Sequence, residues 1–433
     1  MTIQFDMSAK LAQRGSKVFP GAINSLNYLL PAVGGPLYID RADGAYLYDV
    51  DGNRFIDFWP SHSALLVGHN HPAVREAVER QIARGSNFGL ATQVQVELAE
   101  RLQERFPSIE KLVFTDSNTR ATSYAVKLAR AATNRQMIAK IQGGYHGTVD
   151  TLWYGLQKLY GDGPGDRPVG TMRGVSERVA EELVLLQWNR IEETLEVLRG
   201  VGDRLAGIIV EPVLGDGIIP PAEGYLQALR EHCTEVGALL VYDEAVTCGM
   251  SPGGAQQVLG VLPDITVVGK SMGGGMPIAA VGASAEVMSL CDPSSGLPPV
   301  PISMTYAGHP VAAAAGLAQL DLLGAEQYAY MTSLADRLAA GTQELAARYD
   351  APLTITTANH LFYFHWGPER ITDWRDHYAC SDDILAHIQN MLLEDGIYLG
   401  SKGRACMSTA HTEGDIARLL ESLERALKNQ LAR

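Results

Sequence analysis

The chain alternates short runs that are apolar at nearly every position with longer stretches whose apolar residues recur at helical spacing. The short runs are Lys111–Thr115 (KLVFT), residues 136–141, residues 206–210 (AGIIV), residues 239–242, Ile265–Val268 and residues 277–283. Their length and β-branched content predict strands, and a strand apolar on both sides belongs in a sheet covered on both faces. Residues 121–132 and Tyr225–Val236 carry the helical period and predict helices between the strands. Strands separated by helices predict a parallel sheet, whose ligands sit beyond the carboxyl ends of the strands. Glu211, Asp243 and Lys270 each follow closely on an apolar run. Three charged residues of different chemistry are therefore expected on one rim.

The C-terminal part reads differently. Residues 334–348 and 382–393 predict amphipathic helices, Leu361–Trp366 (LFYFHW) and residues 396–399 predict strands, and residues 415–431 predict a last helix with an apolar stripe. This mixture implies a smaller α+β domain. Residues 35–58 alternate polar and apolar positions around a turn at Asp51-Gly52, a strand pattern expected to join that smaller domain. The expected organisation is an N-terminal segment, 1–65, contributing to the small domain, a large domain, 66–320, and a C-terminal small domain, 321–433.

Composition narrows the partners. Of 433 residues, 46% are hydrophobic, a globular value. Lys and Arg number 35 against 49 Asp and Glu, a formal charge of −14 that disfavours nucleic acid and anionic membranes as partners. The five cysteines, Cys233, Cys248, Cys291, Cys380 and Cys406, form no CxxC pair and read as reduced thiols of a cytoplasmic protein. His69 and His71 in GHNHP have no accompanying ligand cluster, so no metal site is expected. The N-terminus MTIQFDMSAKLAQRG lacks the apolar core of a signal peptide, and the apolar stretches are too short to span a membrane.

Several segments carry chemistry. Ser117-Asn118-Thr119 follows a predicted strand and opens a predicted helix, where hydroxyls and backbone N–H groups suit a phosphate; the same residue types are also ordinary helix caps. Gly143-Gly144-Tyr145-His146-Gly147 places an aromatic ring among glycines, an arrangement that lets the ring lie against a planar ligand or simply makes a turn. Asp243 ends an apolar run, and a carboxylate buried there calls for a partner. Lys270, in VVGKSMGGGMP, stands between an apolar strand and a glycine-rich turn. Desolvation there favours a nucleophilic amine of the kind that forms a Schiff base.

These motifs, in order, resemble those of the class III aminotransferases, and within them the glutamate-1-semialdehyde aminomutase-like branch. The resemblance runs from about Gly21 to the C-terminus and rests on GAYLYDVDGNRFIDF, VGHNHP, FTDSNTRAT, GGYHG, IIVEPV, VYDEAVTCG, PDITVVGKSMGGGMPIAAVG and TYAGHPVAAAAGLA. It implies an α/β fold of the pyridoxal phosphate (PLP) enzymes, fold type I, aspartate aminotransferase-like. That fold has a mostly parallel seven-stranded sheet in a large domain plus a smaller α+β domain. It also implies a homodimer and pyridoxal 5′-phosphate as cofactor. Carried over residue by residue, Lys270 would hold the cofactor as a Schiff base and move the substrate proton. Asp243 would pair with the pyridine nitrogen. Tyr145 would stack on one face of the ring, with Ala245 or Val246 against the other. Ser117, Asn118 and Thr119 would bind the phosphate, and Thr305 would reach the phosphate of the neighbouring subunit. Glu211 would sit near the ring hydroxyl, with His146 supporting the site.

Two departures stand out. The phosphate motif, usually SGTEA, is here Ser117-Asn118-Thr119-Arg120-Ala121. The aminomutase branch has a carboxylate-binding arginine shortly after Asn-Ser; here Asn24-Ser25 leads to Tyr28 in that place. Arg404 is a possible replacement, and His62 is a second residue that could face the substrate. The expected function is a PLP-dependent aminotransferase working on a small-molecule amino donor and a carbonyl acceptor. The alternatives are an intramolecular aminomutase and a catalytically impaired PLP-binding protein.

Overall fold

In a computed structural model, which describes residues 3–30, 35–156, 174–400 and 403–432, the chain divides into two compact units. One consists of Ala73–Ala325 with Thr372–Tyr378, the other of Met1–Pro72, Glu326–Ile371 and Ala379–Arg433.

The larger unit is built on a seven-stranded sheet in the order Lys111–Thr115, Ala279–Ala283, Ile265–Val268, Leu239–Glu244, Leu205–Val210, Met137–Ile141 and Leu183–Leu186. Pairing is parallel from Ile265–Val268 to Leu183–Leu186, whereas Ala279–Ala283 runs against both of its neighbours. The reversal follows from chain length. Only the turn 269–278 joins Ile265–Val268 to Ala279–Ala283, too little for the helical crossover that a parallel partner needs. Every residue of Leu205–Val210 is buried, as its unbroken apolar sequence requires. Ala121, Ala125, Leu128 and Ala129 of the helix Asn118–Thr133 pack in the same core as Ile209, Val241 and Val267.

Register decides where the chemistry lies. Tyr242 pairs with Val210, Glu244 with Val268 and Lys140 with Ile209, so the carboxyl ends of the central strands lie close together at one rim. Val268 pairs with Ala280, and Ala279 with Thr115, which brings the start of the Asn118–Thr133 helix to the same edge.

The segment Thr372–Tyr378, inside the stretch 321–433 expected to form the small domain, clusters with the larger unit. It belongs to the larger unit because its side chains are tied there. Asp373 forms an ion pair with Arg190 at 2.6 Å, Asn189 Nδ2 donates to the Thr372 carbonyl at 2.7 Å, and Trp374 is buried.

The smaller unit holds a four-stranded sheet, ordered Ile397–Tyr398, Arg54–Asp57, Tyr46–Asp49 and Ile39–Asp43, and a three-stranded sheet of Leu353–Ala358, Leu361–Trp366 and Arg404–Cys406. The predicted turn at Asp51-Gly52 is held by Asp49, whose carboxylate accepts from the backbone N–H of Asp51 and of Asn53. The last helix, Glu413–Leu431, is capped reciprocally by Thr412 and Asp415 and buries Ile416, Leu419, Leu423, Ala426 and Leu427 along one stripe.

His360, in the turn between Leu353–Ala358 and Leu361–Trp366, is 1% exposed, and neither ring nitrogen has a hydrogen-bond partner. Burial pushes its imidazole down to about 4. Its folded value thus lies below the ordinary value of about 6.5 in an unfolded chain. The unfolded chain takes up the proton first, so stability is full above about pH 6.5 and falls as pH drops towards 4. Urea unfolding at pH 7 and pH 5 should show a loss on acidification, of which about 2 kcal/mol disappears in His360→Leu. An unchanged pH dependence in that variant would show that the histidine is not its source.

Candidate functional site

At the rim of the larger unit, Asp243 closes the Leu239–Glu244 strand and is 3% exposed. Its Oδ1 accepts from Ala245 N at 3.1 Å, and its Oδ2 lies 2.9 Å from His146 Nδ1. His146 is 1% exposed, and burial lowers its pKa below the ordinary value, against the pull of Asp243. The imidazole is therefore neutral at pH 7, donating from Nδ1 to the carboxylate. Its Nε2 is buried with no partner. The His146 carbonyl accepts from Thr122 Oγ1 at 2.8 Å, which fixes the loop to the Asn118–Thr133 helix.

Lys270 follows the Ile265–Val268 strand and has φ +44°, a left-handed conformation that costs a non-glycine residue roughly 1–3 kcal/mol. The preceding Gly269 is extended, so its lack of a side chain serves space rather than conformation: a Cβ there would fall on Asn118 Oδ1. Cys248 Sγ lies 3.3 Å from the Gly269 carbonyl and 3.3 Å from Ser271 Oγ, which packs the turn from below the strand end.

Ser117 stands at the N-cap position of the Asn118–Thr133 helix without capping it; its Oγ donates to Asp116 instead. Asn118 Nδ2 is buried and unpartnered. Thr119 Oγ1 accepts from Thr148 N at 3.3 Å, and a Cβ on Gly147 would fall on Thr119. The unusual Arg120 now has an account. Its Nε lies 3.2 Å from Asp116 Oδ1, one helical turn back, and its side chain is 47% exposed, so its charge is taken up at the surface.

Tyr145 is 38% exposed, edge-on to Trp153 at 6.0 Å, and its backbone N–H donates to Glu211 Oε2 at 3.0 Å. Ala245 and Val246 are half-buried directly after the Asp243 strand. Thr305 is exposed on a turn, where its carbonyl accepts from Asn87 Nδ2 at 3.3 Å. The rim therefore gathers Asp243, His146, Glu211, Tyr145, Ala245, Val246, Lys270 and the 117–119 helix start, while the contact seen for Thr305 is with Asn87.

Two residues of this neighbourhood escaped the sequence reading. Lys140, in the Met137–Ile141 strand, is completely buried, and Trp374 packs where a Cβ of Gly143 would be. The signal for Lys140 was visible: a lysine in an apolar strand ahead of a glycine-rich loop, the same context that singled out Lys270. Trp374 left no local signal, because its contact is made across more than two hundred positions of sequence.

In the smaller unit, Tyr28 and His62 line one cavity of about 510 Å³ with Phe19, Ile23, Leu37, Asp57, Trp59 and His69 among its walls. Trp59 Nε1 donates to His62 Nδ1 at 3.0 Å, and His69 Nε2 lies 2.7 Å from Asp57 Oδ2. Ser61, His62 and Ser63 have φ of +48°, +58° and +66°, three left-handed non-glycine residues in a row. Arg404 is not part of the cavity wall; its guanidinium lies 6.0 Å from the ring of Trp59, which is.

Residues 31–427 match the sequence profile of the aminotransferase class-III family. An omega-transaminase from Sphaerobacter thermophilus is 33% identical, over 98% of this chain and 97% of its own, with a TM-score of 0.92. A β-phenylalanine aminotransferase from Variovorax paradoxus is 31% identical over 99% and 95%, with a TM-score of 0.89. A glutamate-1-semialdehyde aminomutase from Pseudomonas aeruginosa PAO1 is 25% identical over 98% and 95%, also with a TM-score of 0.89.

The contact between Gly269 and Asn118 is open to a double-mutant test. Gly269→Ala should destabilise the protein by about 1–3 kcal/mol through overpacking, and Asn118→Ala in the same chain should restore most of the loss. Equal losses in the single and double variants, measured by denaturant unfolding, would show that this contact is not what requires glycine.

Proposed function

We propose that Lys270 is the amine through which this chain, which belongs to the class III aminotransferases, holds pyridoxal 5′-phosphate and passes amino groups from a donor to a carbonyl acceptor. When bound, that cofactor supplies the carbonyl that exchanges for a donor's amino group and the ring that takes up electrons released at the donor carbon. The residues of the rim fit such a group. Asn118 Nδ2 is a buried donor without a partner, and the Asn118–Thr133 helix presents its N-terminus beside Ser117 and Thr119, a donor set suited to a phosphate.

The observation that carries this reading is the buried Asp243, with His146 Nδ1 hydrogen-bonded to one of its oxygens. His146 offers a hydrogen bond but no counter-charge. A carboxylate buried there calls for a partner, and a protonated ring nitrogen is one. Lys270 Nζ would carry the proton to and from the donor carbon. Tyr145 would offer its ring as one wall, with Ala245 and Val246 as the other. Glu211, fixed by Tyr145 N, would face the ring hydroxyl. In a homodimer, Thr305 would serve the phosphate site of the neighbouring subunit.

For the donor, the reading favours an amine or β-amino acid with an apolar substituent. Support comes from two relatives, an omega-transaminase and a β-phenylalanine aminotransferase. Arg404, near Trp59, is the proposed partner for a substrate carboxylate. The aminomutase branch is the second reading, supported by the 25% identical relative and opposed by Tyr28 standing where that branch has arginine. Turnover of a single amino-aldehyde without an added acceptor would favour it. A cytoplasmic setting belongs to the same proposal; among the described residues no helix is long and apolar enough to cross a membrane.

Reduction of the loaded protein with borohydride, followed by peptide mapping, should find the pyridoxyl group on Lys270. Lys270→Ala should lose the label and cut the rate of amino transfer by roughly 10³-fold or more. A label on another lysine would overturn the assignment.

A further inference from the structure

Lys140 belongs to no role assigned so far. It lies in the Met137–Ile141 strand with its side chain completely buried, where a lysine is tolerated only when its three N–H donors are all engaged. They are: Nζ donates to the carbonyls of Gly144 at 2.7 Å, Tyr154 at 2.8 Å and Leu152 at 3.1 Å. Those carbonyls are not scattered. Gly144 immediately precedes Tyr145, and Leu152 and Tyr154 flank Trp153, the residue that meets Tyr145 edge-on. One ammonium thus grips the backbone on both sides of the Tyr145–Trp153 pair. Nothing else in the strand requires a cation, since its neighbours Ile138, Ala139 and Ile141 are simply core.

We propose that Lys140 is a positioning residue of this site, clamping the loop 144–154 so that Tyr145 presents its ring and His146 meets Asp243 in a fixed geometry. The inference rests on reading Tyr145 as a wall of the cofactor site. The charged groups facing Lys140 agree with the role. Glu211 opposes the desolvation that pushes the ammonium down to about 7, and Glu211 is also the acceptor for Tyr145 N. The positive charge in turn helps to hold His146 neutral against Asp243. Below neutral pH the ammonium can donate to all three carbonyls; deprotonated, it has one hydrogen too few.

The test is Lys140→Met, with Lys140→Gln as the second variant should the first fail to fold. Hydrogen exchange of residues 144–154 is read on the cofactor-free protein, and pyridoxal phosphate affinity by fluorescence titration between pH 6 and 8.5. The expected results are faster exchange confined to this loop, affinity weakened roughly tenfold at pH 6, and a gap between wild type and variant that narrows as pH rises through 7. Lys140→Arg should recover part of the affinity. Unchanged exchange in the loop would overturn the clamp and leave the assignment of Tyr145 standing. Faster exchange with unchanged affinity would overturn the positioning role and with it the reading of Tyr145 as a cofactor wall.

Discussion

Asp243 cannot be buried at the end of a central strand without company, and much of the larger unit is arranged around that requirement. The parallel register brings Val210, Glu244 and Val268 together, so the carboxylate opens towards the same rim as Glu211 and the Lys270 turn. His146 reaches it only because the loop after Met137–Ile141 folds back, and that loop is held to the Asn118–Thr133 helix through Thr122 and to the strand through Lys140. The helix is seated in turn by small residues, Ala121, Ala125 and Ala129, which let it lie close to the sheet. The hydrogen bond from His146 satisfies one oxygen, and on the proposed reading a ligand cation meets the other.

The same rim depends on backbone approaching side chain at van der Waals contact. Gly269 is there because Asn118 occupies the space of its Cβ, Gly147 because Thr119 does, and Gly143 because Trp374 does. Asn118 standing where the family usually has glycine is therefore balanced by a glycine across from it. Arg120 is explained differently: Asp116 lies four residues back, and the partly exposed pair is worth little to stability.

How much of this was legible before the structure follows from what each feature requires. Strands such as Leu205–Val210 were plain because burial on both faces leaves an unbroken apolar run, and the rim residues were plain because charge directly after such a run has few structural reasons to exist. The strand Leu183–Leu186 and the helix Ile191–Val201 were not read, since the strand is an edge of four residues preceded by acidic turns. The antiparallel Ala279–Ala283 looked like its parallel neighbours because direction leaves no mark on an apolar run; only the shortness of the 269–278 turn encodes it. The segment Thr372–Tyr378 was hidden because its ties to Asn189, Arg190 and Gly143 are distant in sequence and individually ordinary. Tyr28 and His62 were singled out by comparison of motifs and do line one cavity, whereas the Arg404 guanidinium lies 6.0 Å from the ring of Trp59 in its wall.

Lys140 and Lys270 show where sequence context stops discriminating. Both are lysines in apolar strand contexts beside glycine-rich turns, and both are removed from bulk water to some degree. Around Lys140 three carbonyls converge, so its protons are committed and its nitrogen has no lone pair to offer while charged. Lys270 sits in a left-handed turn that carries its backbone away from the strand ladder, a strained conformation that a folded chain keeps only when surrounding packing enforces it. A fully engaged ammonium suits the organisation of a loop, the role proposed for Lys140, whereas the strained turn at Lys270 marks the place proposed for the chemistry.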